Sequence, residues 1–271
     1  MEQQHTVAVI GAGKMGETLL SGLLRAGWPA SRLLATTRRQ DRAQELSERY
    51  GVRVVDNSVA VAEADVLTIA VKPQDAPGLM SELGPRVPAG ALVVSICAGL
   101  PTSFFAKHLP PGTPVVRVMS NTPALVDEAM TAISGGNHVT AAQLTLAEEM
   151  FRPLGRTIRV PESQQDAVTA LSGSGPAYFY FLVEAMTDAG ILLGLPRQVA
   201  YDLIVQTVTG SAAMLRESGE HPVKLREAVT SPAGTTINAI RELENHKVRA
   251  ALIAALEAAR DRAREIAADY S

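Results

Sequence analysis

The sequence predicts an α/β fold, in which an N-terminal doubly wound parallel sheet is followed by an all-α C-terminal domain. Three observations predict it. Short apolar runs alternate with helical segments through the first half. A glycine-rich turn stands between the first run and the first helical segment. After Pro161 the strand signals stop and only helical segments remain. Strands that are apolar almost throughout are covered on both faces, and their alternation with helices makes them parallel. That is the Rossmann-type arrangement.

The elements follow in order. Residues 7–10 are a buried strand. Residues 14–25 are a helix with an apolar stripe at Leu19, Leu20, Leu23 and Leu24. Further strands are expected at 33–35, 52–55, 65–71, 91–96 and 115–119, with a second helix at 41–50. In the second half Gly173-Ser174-Gly175-Pro176 opens a long helix to about residue 193. Ser174 is the expected cap, and Pro176 suits a first turn because its missing N–H has no helical partner there. Gly194-Leu195-Pro196 separates that helix from one ending near residue 216. Three more helices are expected at 222–229, 235–243 and 246–268. Residues 1–162 are thus the dinucleotide-binding domain and 163–271 the helical domain. The helices have broad apolar faces, including Phe179, Phe181, Leu182, Met186 and Leu192. Such a face points to a homo-oligomer through the C-terminal helices, with a self-sufficient bundle as the alternative.

Composition narrows the function. The 271 residues carry a net charge of -3 and 4% aromatics, which argues against nucleic acid as a partner. The single cysteine, Cys97, excludes a disulfide within the chain and suggests a reducing compartment. The polar start leads at once into a strand, and no apolar run spans a bilayer, so no signal peptide, no membrane and a cytoplasmic location are expected. His5, His108, His138, His221 and His246 have no metal-ligand spacing, and no metal is expected.

Ile10 leads into Gly11-Ala12-Gly13-Lys14-Met15-Gly16, a G-x-G-x-x-G pattern between strand and helix. Gly11 permits the tight turn, Gly13 lets the backbone approach a pyrophosphate, and Gly16 lets helix and strand pack closely. The helix N-terminus favours phosphate. An NAD site usually ends its second strand with a carboxylate for the ribose 2′-hydroxyl. Here stand Ala35-Thr36-Thr37-Arg38-Arg39. Arginine pairs with a 2′-phosphate, so Thr37 and Arg38 predict NADPH as the preferred cofactor, with NADH as the alternative. The other reading is that Arg38 and Arg39 begin a solvated loop. Further cofactor contacts are expected from Asn57, from Ala70-Val71-Lys72-Pro73 and from Cys97 and Ala98, which end later strands. Lys72 reads equally as a solvated lysine, and Cys97 as a buried small residue.

The distal half carries the more specific signal. Ala170 to Tyr178, Leu193-Gly194-Leu195-Pro196, Glu220-His221-Pro222 and Ser231-Pro232-Ala233-Gly234-Thr235-Thr236 resemble the pyrroline-5-carboxylate reductases. Ala70 to Pro73 and Asn121-Thr122-Pro123 are also similar to that family, so the resemblance covers nearly the whole chain. It implies NADPH-dependent reduction of the cyclic imine 1-pyrroline-5-carboxylate to L-proline, the last step of proline biosynthesis. It also implies that Thr236 lies beside the imine nitrogen, that Thr235 contacts the substrate carboxylate, and that an acidic residue before the His-Pro pair turns towards the substrate. Glu220 is the nearest candidate for the last, with a solvated turn carboxylate as the other reading. Ala233 departs from the family, which usually has glycine there. A positive φ at that position would strain it.

The residues make chemical sense beside the resemblance. A helix starting near Thr235 offers free N–H groups to a carboxylate. The other reading is that both threonines only cap that helix. A protonated imine is already electrophilic, so placing it and excluding water matter more than a strong general acid. Residues 176–193 hold no Lys or His. A base of the kind that hydroxy-acid dehydrogenases need is therefore missing from that helix. Two rivals remain: a reductase of the same architecture with another substrate, and a cofactor-sensing binding protein without turnover.

Overall fold

The computed structural model describes residues 5–270. Residues 1–4, most of the expected polar lead-in, lie outside the described residues. Two compact units result. One runs from the first strand to Ser174 and takes in the chain again from Ala259, and Gly175–Ala258 form the other. The join expected at residue 162 from sequence is a change of composition; the change of packing unit comes at Ser174.

The first unit opens with β1 (Val7–Ile10), α1 (Lys14–Arg25), β2 (Leu33–Thr36), α2 (Gln40–Tyr50), β3 (Arg53–Val54) and α3 (Asn57–Glu63). β4 (Val66–Ile69), α4 (Ala76–Leu83), β5 (Leu92–Ser95), α5 (Thr102–Ala106) and β6 (Val115–Met119) follow. The sheet order is β3-β2-β1-β4-β5-β6, all parallel. Side chains alternate across it. Val7 and Val9 join one core layer with Leu19, Leu20 and Leu23 of α1. Ala8 and Ile10 join the opposite layer with Met80 and Leu83 of α4 and Phe104 and Phe105 of α5. This period of two, buried on both faces, is why the strands read as continuous apolar runs.

Two strands extend the sheet beyond expectation. β7 (Ala129–Gly135) runs antiparallel to β6, and β8 (Gly155–Arg159) pairs parallel to β7. Between them α6 (Ala141–Phe151) starts on a capping box of Thr140 and Gln143. The expected cap at Ser174 is also corrected. The chain is already helical from α7 (Gln165–Val168) through a π-turn at Thr169–Gly173, and Ser174 has helical angles, φ −86° and ψ −14°. Its N–H donates to Thr169 O at 2.8 Å, so no helix end is left there to cap. Asn121 ties this turn down. Its amide donates to Ser172 O at 3.1 Å and accepts from Met130 N–H at 3.1 Å.

The second unit is helical. It holds α8 (Gly175–Leu192), α9 (Arg197–Ser218), α10 (Pro222–Ala228), α11 (Thr235–Asn245) and the start of α12 (Val248–Ala268). α8 and α9 approach closely where a Cβ on Gly190 would come within 2.6 Å of the Ala200 Cβ. Few residues are buried: Gly175, Thr187 and Gly190 in α8, Ala200 in α9, and none in α10 or α11. Phe181 is 69% exposed and Leu192 is 88% exposed. No helix among the described residues is long and apolar enough to cross a membrane.

Candidate cofactor cleft and substrate turn

A cleft of about 1000 Å³ lies at the carboxyl ends of β1, β2 and β4 and beside the start of α3. In the order β3-β2-β1-β4 the chain reverses direction of growth at β1, and ligands of open parallel sheets sit at that reversal. The structure brings Ile10, Gly11, Ala12, Gly13, Lys14, Thr37, Arg38, Asn57, Ala70, Val71 and Lys72 to its walls.

The glycine turn is built for a close ligand. Gly11 has φ +86°, and a Cβ there would come within 2.5 Å of Val71 Cγ1. Its N–H donates to Thr36 Oγ1 at 3.1 Å, and Ala12 N–H donates to Thr36 O at 2.8 Å. A Cβ on Gly13 would meet nothing within 4 Å, so that face is open to a ligand. The first helical bond of α1 is Glu17 N–H to Gly13 O at 2.8 Å, and the N-cap makes no side-chain bond. The N–H groups of Lys14, Met15 and Gly16 precede that bond and stand where a pyrophosphate would accept them. The residues present therefore fit a dinucleotide.

Five expected contacts do not line the cleft, and of these Met15 and Gly16 would meet a ligand through their first-turn N–H groups alone. Gly16 is buried because a Cβ would meet Val9 Cγ1 at 2.9 Å, so its part is the close packing of α1 on β1. Met15 packs against the core. Pro73 begins the short 3-10 turn before α4, and Ala98 is exposed beyond β5. Cys97 is buried and its thiol points away from solvent, to Ile69 O at 3.5 Å and Val71 O at 3.3 Å. Burial pushes the Cys97 thiol up to about 11. It is a tie between strand ends and not a nucleophile.

Charged residues crowd the wall of the cleft beside β2, and the sequence reading missed Glu17, Arg42 and Glu45 among them. Arg42 of α2 pairs with Glu17 of α1, and with Glu45 at 2.6 Å. Burial works to raise the Glu17 carboxyl. Hydrogen bonds from Tyr50 and Arg42 and the charges of Arg42 and Arg49 outweigh it, so Glu17 sits below the ordinary carboxylate value. The carboxylate one turn into α1 is thereby held ionised, with Arg42 and Arg49 beside it to balance its charge. Arg39 pairs with Asp41 at 2.5 Å, and Arg38 reaches Asp75 at 3.2 Å. A helical phase of three or four from Arg38 and Arg39 would have pointed to Arg42.

The second unit holds the other expected site residues. Ser231 O accepts from Gly234 N–H at 3.1 Å, closing a turn with Pro232 and Ala233 at its centre. Ala233 has φ 56°, and Pro followed by a positive φ is the type II pattern that favours glycine. A Cβ on Gly234 would collide with Ser231 Oγ. Gly234 is the N-cap of α11 and makes no side-chain bond, so neither threonine occupies the cap position. Thr235 is exposed and Thr236 half-buried in the first turn. Glu220 is exposed in the turn between α9 and α10 and pairs with Lys224 at 3.1 Å.

Residues 162–266 match a family described as pyrroline-5-carboxylate reductase dimerisation. Residues 6–99 match one described as NADP oxidoreductase, coenzyme F420-dependent. The chain is similar to a pyrroline-5-carboxylate reductase of Mycobacterium tuberculosis, 44% identical over 96% of each chain. It is also similar to the solved pyrroline-5-carboxylate reductase of Coxiella burnetii, with TM-score 0.93, 37% identity and 97% and 99% of the two chains covered. A third likeness is the Plasmodium falciparum pyrroline carboxylate reductase solved with NADP bound, at TM-score 0.88 and 26% identity, covering 98% and 99%.

Proposed function

Since the chain belongs to the pyrroline-5-carboxylate reductase family, we propose that it reduces 1-pyrroline-5-carboxylate to L-proline with NADPH as the preferred hydride source. The bound nicotinamide would supply a hydride to the imine carbon. The protein's own residues bind and orient the reactants. The first-turn N–H groups of α11, with Thr235, hold the substrate carboxylate. The Thr236 hydroxyl hydrogen-bonds the imine nitrogen and fixes which ring atom faces the hydride. Lys14, Met15 and Gly16 give N–H groups to the pyrophosphate, and Arg38 pairs with the 2′-phosphate.

The observation that carries this reading is the start of α11. Its cap is a glycine without a side-chain bond, so the first-turn donors and the Thr236 hydroxyl are left for a ligand. The preference for NADPH rests on the absence of any carboxylate from Thr36 to Arg39. The scarcity of buried residues in the helical unit supports pairing with a second copy of the chain. A single buried Cys97 and an acidic net charge suit a cytoplasmic enzyme without a nucleic-acid partner.

The test is NADPH oxidation with pyrroline-5-carboxylate, NADH in parallel and proline as the measured product. Wild type is expected to form proline, faster with NADPH. Thr236→Ala should lower kcat/KM by about 10- to 100-fold, the loss of one hydrogen bond near the reacting atoms, with NADPH binding retained. Unchanged turnover in Thr236→Ala would remove that residue from the mechanism.

A further inference from the structure

Asp75 ends the 3-10 turn Pro73–Asp75, which runs straight into α4. Its own angles are helical, φ −88° and ψ −17°, so its carboxylate has no helix end to cap. The carboxylate turns instead to Arg38, with Nη2 to Oδ2 at 3.2 Å. Both residues line the cofactor cleft. Arg38 follows β2 and Asp75 follows β4, and in the sheet these strands flank β1. Two strand spacings, about 10 Å, separate them. The ion pair therefore spans the cleft above the glycine turn that ends β1.

The pair is a single contact and largely in water, with the two side chains 88% and 36% exposed. A contact of that kind is readily exchanged. A phosphate dianion engages guanidinium in two parallel bonds and would draw Arg38 away from one carboxylate oxygen. Arg39 and Arg42 are already paired, with Asp41, and with Glu17 and Glu45. Arg38 has the weakest hold among the three arginines on this wall.

We propose that Asp75 is a specificity-determining residue that competes with the 2′-phosphate for Arg38 and so restrains the preference for the phosphorylated cofactor. This inference rests on the reading that Arg38 receives the 2′-phosphate. A cofactor without that phosphate leaves the Arg38–Asp75 pair in place and feels no competition.

The test is equilibrium binding by calorimetry, with NADP+ and NAD+ as probes, on the full chain. Asp75→Asn is expected to tighten NADP+ by about three- to fivefold, the upper scale of one exposed charge contact, and to move NAD+ by less than about twofold. Asp75 makes no cap bond that the change would remove, and Asp75→Ser, equally uncharged, is a second variant. In an Arg38→Ala background the effect of Asp75→Asn on NADP+ should fall below about twofold. Weaker or unchanged NADP+ binding in Asp75→Asn would overturn the proposal. So would an equal shift for both cofactors, or a shift that survives without Arg38. Tighter binding of NAD+ than NADP+ by the wild type would count against the NADPH reading alone, and the change on Asp75→Asn would still decide this one.

Discussion

Ala233 bears a conformation that costs an L-residue about 1–2 kcal/mol, with φ 56° at the centre of the turn before α11. Ala233→Gly removes that cost but loosens the unfolded chain by about 0.4–1 kcal/mol. The variant should be more stable by about 0.5–1 kcal/mol net. Urea unfolding checks it, through a raised midpoint at unchanged slope. A lowered midpoint would mean that Ala233 makes contacts worth more than its strain. The strain was anticipated through the resemblance, because the family usually has glycine where Ala233 stands. The glycines of the fingerprint were legible from their spacing between a strand and a helix. Asp75 and Glu17 were not, because each looks like an ordinary helix-start acid until the sheet brings strand ends together.

Between elements, Cys97 joins the end of β5 to the end of β4 through two backbone carbonyls. Its thiol is raised by burial from 9.0 to about 11. Below about pH 8 both folded and unfolded chains hold the proton, and the full stability is present. Between the two values the unfolded chain releases it and the folded chain keeps it, so stability falls as pH rises. The loss should approach about 2–3 kcal/mol by pH 11. Tyr50, raised by burial and by Glu17, adds to the alkaline loss, so the comparison must isolate Cys97. Cys97→Ala should show a shallower decline above pH 9 than wild type in denaturant titrations, and parallel profiles would refute the assignment. At this scale the sequence announced the parallel strands because burial on both faces leaves mostly apolar residues in β1, β2, β4, β5 and β6. It did not announce β7 or β8. β7 is built largely of Ala, Thr, Ser and Gly, and β8 is mostly exposed and carries two arginines. Strand identity there comes from pairing, of β7 with β6 and of β8 with β7, and not from local preference.

For the whole molecule, the helical unit poses a burial problem that a single chain does not solve. Its longest helices bury a handful of small residues, while Phe179, Phe181, Leu192 and Leu203 stay more than half exposed. Apolar area left in water gives no stabilisation, and apolar patches of this kind mark association surfaces. The family match over residues 162–266 is described as dimerisation. A shallow depression of about 410 Å³ on α9, lined by Val199, Leu203 and Gln206 among others, lies on this exposed surface. Wild type should therefore sediment as an oligomer, and its Tm should rise with protein concentration, since assembly draws on the folded state only. Leu203→Glu places a charge on the α9 face that association would have to bury without a partner. It should shift the mass by light scattering towards the single chain, lower Tm and remove its concentration dependence. A wild type that is monomeric, with a Tm independent of concentration, would show that these helices hold together alone. An unshifted mass in Leu203→Glu would move the interface to another face. The two measurements separate because concentration dependence reports that assembly occurs, and the variant reports where.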